Sequence, residues 1–232
     1  MEELFDIYDS AGNRIGVAPR RECHGNPSLL HHTSHVVVFH PDGKRILLQK
    51  RSMSKDIQPG KWDTAVGGHT AHGAVSFTAW DGKSAIAYQN KTAYVYLSGN
   101  ATLSSNLVVD GTTLYLCLSG RTLSSNGTTK IQVKNGGRLV ICDCAGGGTL
   151  KAATKGWGGA CIYLYQSTLE LFGGKITGGK VTGKGGGGAI ALDDSRCVFT
   201  MTGGEISGNN GNKSGGAVFF NSADKKGGTF RM

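Results

Sequence analysis

The sequence predicts a mainly β chain: a small incomplete sheet followed by a truncated parallel β-helix, a solenoid of stacked coils. Three observations predict it. Composition breaks near residue 73, with all seven histidines and all four prolines before it and 30 of the 38 glycines after it. Beyond the break, short phrases recur at intervals of 20 to 30 residues. Those phrases alternate polar and apolar residues between glycine turns and lack the helical period of about 3.6 residues. The expected organisation is a first part over 1–73, a junction over 74–94, and repeats over 95–232.

The first elements read as short antiparallel strands. In FDIYDSAGNRIG, Phe5, Ile7 and Ile15 flank a Ser-Ala-Gly-Asn turn signal, which predicts strand, turn and strand. Val36 to Phe39 and Arg45 to Gln49 are apolar runs joined by Pro41-Asp42-Gly43-Lys44. QPGKW then makes a turn and WDTAVGG a further strand. Almost no helix is left to cover this sheet.

The succession SHVVVF, ILLQKRS and QPGKWDTAVGGH resembles the front half of a Nudix-superfamily domain, of the branch close to isopentenyl-diphosphate isomerases, over roughly residues 3 to 73. The resemblance implies an incomplete Nudix-like sheet, and chemistry that hydrolyses or isomerises diphosphate compounds on a bound divalent metal. In that family a glycine opens a box whose glutamates, on a helix, hold Mg²⁺ through hard oxygen ligands. With Gly68 as the box glycine, the first glutamate position is Ala74. The R-E-U-x-E-E positions, U being a bulky aliphatic residue, read Gly82, Lys83, Ser84, Ala85, Ile86 and Ala87, and the only acidic residue in 74–97 is Asp81.

In the isomerase branch a cysteine commonly precedes the Gly-His pair; here the position is Gly67. His69 matches the family's metal-binding histidine, and His24 and His35 are further candidate ligands. An active domain would use Lys50, Arg51, Lys61 and Trp62 on a nucleoside or isoprenoid diphosphate. Without the box carboxylates the expectation is an inactive fragment that needs no cofactor. The alternative is a Mg²⁺-dependent Nudix hydrolase.

From Ala74 the text changes to short strands, glycine pairs and Ser/Thr/Asn turns, with repeats beyond the junction. TLSSN occurs at 102–106 and 122–126, DGTTLYLCL at 110–118 is echoed by NGGRLVICD at 135–143, and LELFGGKITGG at 169–179 is echoed by FTMTGGEISGN at 199–209. GGA recurs at 158–160, 187–189 and 215–217, which marks Gly159, Gly188 and Gly216 as structural repeat positions. One such unit cannot bury its own apolar face, so the units must stack, with equivalent strands about 4.8 Å apart. Ile162 and Leu164, Leu169 and Leu171, and Phe199 and Met201 are the expected inward ladders. GGTFRM at 227–232 restarts a phrase, so the solenoid is expected to be incomplete, and its open end could self-associate.

GGACIYL, GGAIALD and GGAVFFN resemble the repeats of bacterial surface β-helices, including adhesins of the polymorphic outer-membrane type. TLYLCLSGRTLSSNG with VICDC is similar to glycine-rich repeats of large extracellular proteins. These resemblances imply a non-catalytic role in binding a surface ligand or a polysaccharide. They imply an extracellular setting, whereas the acidic N-terminus MEELFDIYDS, with no export signal, predicts a cytoplasmic chain.

Several function classes are disfavoured. Sixteen of the 25 basic residues follow Gly73, but they are scattered through turns without a basic helix or aromatic interleaving, so no nucleic-acid track is expected. No apolar run approaches the ~18 residues of a membrane span. KGGGGA at 184–189 lacks the G-K-[ST] and the helix of a phosphate loop, and opens a strand instead. Asp193 and Asp194 are adjacent on a predicted strand and so point to opposite faces, which reads as a solvated turn. Cys117 and Cys142 are 25 residues apart, the repeat offset, which suggests a buried thiol ladder; a disulfide or a metal site involving Cys144 stays open.

Overall fold

The computed structural model describes residues 2–40, 42, 44–55, 58–69, 75–127, 130–152, 161–181, 187–211, 215–221 and 227–232, the side chains of Val36 and Phe39 excepted. The chain forms two compact units, Met1–Val75 and Ser76–Met232.

The first unit is a set of small antiparallel sheets. Leu4–Tyr8 pairs with Arg14–Pro19 on one side and Leu30–His31 on the other. Asp9 closes the first hairpin by accepting the backbone N–H groups of Ala11 and Asn13. Val38–Phe39, Ile46–Lys50 and Trp62–Thr64 form a second sheet, and Thr33–Val36 pairs with Val66–His69 in a third. The helix Arg20–Gly25 is the only one among the described residues. Phe5, Ala18 and Cys23 are the buried core, whereas Ile46, Leu47, Leu48, Trp62 and Val66 are all exposed. Strand patterning is thus present, but the apolar faces of the second and third sheets are uncovered.

The second unit is a parallel β-solenoid of about four turns. Its largest sheet has seven parallel strands, from Thr78–Trp80 and Thr92–Leu97 through Thr113–Cys117, Arg138–Cys142, Thr168–Leu171 and Val198–Met201 to Thr229–Arg231. Two five-stranded sheets complete each coil. One runs Ala101–Thr102, Thr122–Ser124, Thr149–Lys151, Lys175–Thr177 and Glu205–Ile206. The other runs Leu107–Asp110, Ile131–Lys134, Ile162–Tyr165, Ile190–Leu192 and Val218–Phe220. The stretch 74–94, read from the sequence as a junction, therefore includes Thr78–Trp80, which pairs in parallel with Thr92–Leu97.

Period-2 alternation sets the register, because a slip of one residue would turn every ladder outward. Ala93, Leu114, Leu139, Leu169 and Phe199 stack in line inside the large sheet, followed by Phe230. The steps between them are 21, 25, 30, 30 and 31 residues, so the offsets of 25 and 30 visible in the phrases are true coil lengths. Ile162, Leu164, Leu169, Leu171 and Phe199 are buried as expected; Met201 is half-buried. The TLSSN repeat is the exception. Its copies lie 20 residues apart, yet Thr102 pairs with Ser124, so the two phrases are out of register by two positions.

Glycine is required where a coil passes close to its neighbour. A Cβ on Gly188 would run into the carbonyl oxygen of Gly216 and the backbone of Asn210, so the backbones of adjacent coils exclude any side chain there. Gly216 lies in that same stack, with the Asn209 carbonyl oxygen 3.2 Å from an added Cβ. Gly159 lies outside the described residues.

Candidate functional site

The first unit carries one convergent cluster. Phe5, on the central strand of its sheet, is fully buried and forms the floor. The rings of His31 and His69 stack on it at 5.1 and 4.8 Å between centroids. His31 arrives because Leu30–His31 pairs with Ile7 and Tyr8, His69 because it ends the strand opposite Thr33, and His24 because it sits in the last turn of the short helix. His69 Nε2 lies 3.1 Å from His24 Nε2, and His69 Nδ1 lies 3.0 Å from His31 Nε2.

Hydrogen-bond logic assigns the tautomers. His31 Nδ1 faces the Leu29 carbonyl oxygen at 3.3 Å, which can only accept, so His31 carries its proton there. With its proton on Nδ1, a neutral His31 accepts at Nε2 from His69 Nδ1–H, and a neutral His69 accepts at Nε2 from His24 Nε2–H. The three imidazoles then form a relay ending on a backbone carbonyl. Burial, followed by the neighbouring His24 and His31, holds the His69 pKa below the ordinary 6.5, consistent with a neutral ring.

The same nitrogens can serve as metal ligands. One ligand atom from each of His24, His31 and His69 lies within 4.8 Å of the others, the only such group of three or more among the described residues. An all-imidazole set suits a borderline first-row ion; Mg²⁺ favours oxygen. No carboxylate joins the group among the described residues.

A cleft of about 510 Å³ opens beside the cluster. Of the residues singled out in the sequence, His24, His35, His69, Arg51 and Trp62 line it. Lys50 and Lys61 do not line it; Lys50 pairs with Trp62 across the hairpin, and the Lys61 carbonyl accepts the Arg51 N–H. His35 is not part of the imidazole cluster: it hydrogen-bonds Thr64 Oγ1 at 3.0 Å, and His31 takes the third place. Arg51 is held by Asp63 at 2.8 Å, and this guanidinium is the main reason the Asp63 carboxyl lies below the usual range. A Cβ at Gly67, the position matched to the family cysteine, would sit 3.3 Å from His35 Nδ1, at the cleft wall.

About 70 N-terminal residues match isopentenyl-diphosphate isomerases and a Nudix hydrolase. An isopentenyl-diphosphate Delta-isomerase of Agromyces mediolanus is 41% identical over 69 residues, 30% of this chain and 33% of the isomerase. Nudix hydrolase 3 of Arabidopsis thaliana is 40% identical over 76 residues, 32% of this chain and 10% of the hydrolase. A second isomerase, from Corynebacterium efficiens, is 36% identical over 70 residues, 30% of this chain and 36% of that protein. The chain thus spans about a third of the length of these isomerases. No protein-family profile and no solved structure matches it.

The match makes the fate of the box positions decisive for chemistry. Positions 70–74 lie outside the described residues. Positions 82–87 do not form a helix; they lie in the second unit, where Ser84 accepts the Trp80 indole N–H through its carbonyl and Ile86 packs on the solenoid core. Asp81 accepts the N–H groups of Lys83 and Ser84 and the Ser84 hydroxyl, which lowers its pKa to about 2 and makes it a turn former.

The solenoid carries a second candidate site. Along its shorter sheet Ala101, Leu123, Leu150, Ile176 and Ile206 point inward, which leaves two outward rows. One row is Thr122, Thr149, Lys175 and Glu205, and the other Thr102, Ser124, Lys151 and Thr177. All of these except Glu205, together with Lys83 and Asn100, line a shallow trough of about 720 Å³. Lys175 is paired with Glu205 at 3.0 Å, whereas Lys83 and Lys151 make no ion pair among the described residues.

Asp193 and Asp194 do not form such a site. Asp194 is clamped by Arg196, which takes its pKa to about 2, while Asp193 accepts the Tyr163 hydroxyl. No helix of the described residues is long and apolar enough to cross a membrane.

Proposed function

We propose that the chain is a non-catalytic binding segment whose solenoid holds a surface ligand of polysaccharide type, joined to a Nudix fragment that has lost its catalytic carboxylates. The trough carries the reading: hydroxyl and ammonium groups repeat along the solenoid axis about every 4.8 Å, a lattice that a chain of polar, acidic sugar units can follow. Lys83 and Lys151 are available to meet carboxylate or sulfate groups, and the threonine and serine hydroxyls to meet sugar hydroxyls. The inactivity of the first unit is supported by residues 82–87, whose side chains offer no carboxylate and whose backbone is built into the solenoid.

The test is calorimetric titration of the full chain with an acidic polysaccharide (polygalacturonate) and a neutral one (dextran). Saturable binding of polygalacturonate, weakened at least tenfold by Lys83→Ala with Lys151→Ala, is the expected outcome. Absence of binding, or binding indifferent to both lysines, would refute the role of the trough. Mg²⁺-dependent hydrolysis of a nucleoside or isoprenoid diphosphate that vanishes in His69→Ala would overturn the inactive reading and favour the hydrolase.

A further inference from the structure

We propose that Cys117 and Cys144 form a reversible disulfide that ties two neighbouring coils of the solenoid together, leaving Cys142 reduced. The two sulfurs already lie 2.9 Å apart, and the Cys144 backbone N–H points at Cys117 Sγ at 3.4 Å. A disulfide bond is about 2.05 Å long, so less than 1 Å of closure is required.

The surrounding residues hold this approach in place. Cys117 alternates with Leu116 and so belongs to the outward face with Tyr115, yet it is only 4% exposed. The turn after Asp143 lies over it. Asp143 pins that turn with both carboxylate oxygens, one accepting the Gly120 N–H of the preceding coil at 2.7 Å and the other the Gly148 N–H at 2.6 Å. The closeness of Cys144 to Cys117 is therefore fixed by backbone anchors on both coils.

Cys142 is the competitor, because it pairs with Cys117 in the parallel ladder. In-register neighbours on parallel strands hold their Cβ atoms roughly 4.8 Å apart and pointing the same way, beyond the ~3.5–4.5 Å that a disulfide needs. Burial and the adjacent Cys117 push the Cys142 thiol up to about 12, and the Cys144 thiol is raised as well, chiefly by its hydrogen bond with Cys117, so access separates the two: Cys144 is exposed and Cys142 half-buried. The three sulfurs do not all lie within the 4.8 Å of one another that the histidine cluster meets.

Cys144 is exposed and is the point of entry for an oxidant. With a low-molecular-weight disulfide RSSR, the Cys144 thiolate attacks one sulfur, forming a mixed disulfide and releasing RS⁻. Cys117 then loses its proton and attacks the Cys144 sulfur, expelling the second RS⁻. The two thiol protons end on the two released thiols, so two protein thiols and RSSR become one protein disulfide and two RSH. Two electrons pass from the protein sulfurs to RSSR.

The experiment is incubation of the full chain with oxidised glutathione or with dithiothreitol, followed by alkylation, proteolysis and mass spectrometry. Four of the six thiols should remain alkylatable after oxidation, with the peptides of Cys117 and Cys144 linked, and the link should persist in Cys142→Ser. The linked form should melt roughly 5–10 °C above the reduced form, and Cys144→Ser, a change at an exposed position, should abolish both link and shift. Six free thiols after oxidation, a glutathione adduct that never resolves, or a link involving Cys142 in the unmodified sequence would each overturn the proposal.

Discussion

Ile190→Ala probes whether stability resides in the stacked ladders. Ile190 is fully buried between Ile162 of the preceding coil and Val218 of the next, so one truncation opens two coil interfaces at once. Removing three carbons forfeits about 2.4 kcal/mol of transfer free energy at about 0.8 kcal/mol per methylene. The void, roughly 80 Å³ before relaxation, adds up to about 2 kcal/mol. A loss of about 3–4 kcal/mol follows, which at a urea dependence near 2 kcal/mol/M moves the midpoint down by about 1.5–2 M. Val218→Ala, in the same ladder but half-buried and removing two carbons rather than three, should cost about 1 kcal/mol. Thr102→Ala, outward and exposed, should stay within about 0.5 kcal/mol. Urea unfolding followed by circular dichroism measures all three. If Ile190→Ala shifts the midpoint no further than Thr102→Ala does, inward stacking is not what holds the coils together.

Gly188→Ala should prevent coil closure, because the new methyl meets the backbones of Gly216 and Asn210, which cannot rotate away; Gly99→Ala, with nothing within 4 Å, should be close to neutral. Limited proteolysis of the two variants distinguishes them, and equal resistance would refute the close-approach argument. The histidine relay gives a pH dependence. His69 has a folded pKa below 6.5, so the unfolded chain binds its proton more readily; the stabilisation is present above about 6.5 and is lost as pH falls from there toward the folded pKa. Urea melts of the first unit at pH 7.5 and pH 5 should show weakening in acid, and His69 should titrate below 6.5 by NMR; a midpoint above 6.5 would contradict the neutral relay.

The solenoid was legible where side-chain alternation and coil length agree. In IQVK and TLEL alternate residues are apolar, and offsets of 25 and 30 between phrases give the registers Leu114 with Leu139 and Leu169 with Phe199. TLSSN misleads because identical letters serve different positions: Leu103 is buried after its strand, whereas Leu123 is buried within one, opposite Ala101. Matching words fix a coil length only when they occupy the same place in the coil.

The histidine cluster was half legible. His69 and His24 were found, but HHTSH offers three imidazoles within five residues and local spacing does not choose among them. The choice is made by long-range pairing: Leu30–His31 is the third strand beside Phe5, which turns His31 onto that ring, while Ser34 and His35 pair with Gly68 and Gly67 on a different sheet. The signal available was the backbone of Leu4–Tyr8, a strand carrying the buried Phe5, whose N–H and C=O groups call for a partner on each edge, and Leu30–His31 supplies one.

The two sites differ in how they use neighbours. The imidazole relay pairs five of its six ring nitrogens, each ring but the last donating to the next and the last to a carbonyl. The trough has the opposite character: Lys83 and Lys151 present ammonium groups without ionic partners among the described residues, beside rows of hydroxyls whose spacing is set by the strands. Free energy for binding is held by groups that still lack partners. Residues 82–87 belong to the second unit, where Lys83 lines the trough, and their side chains carry no carboxylate.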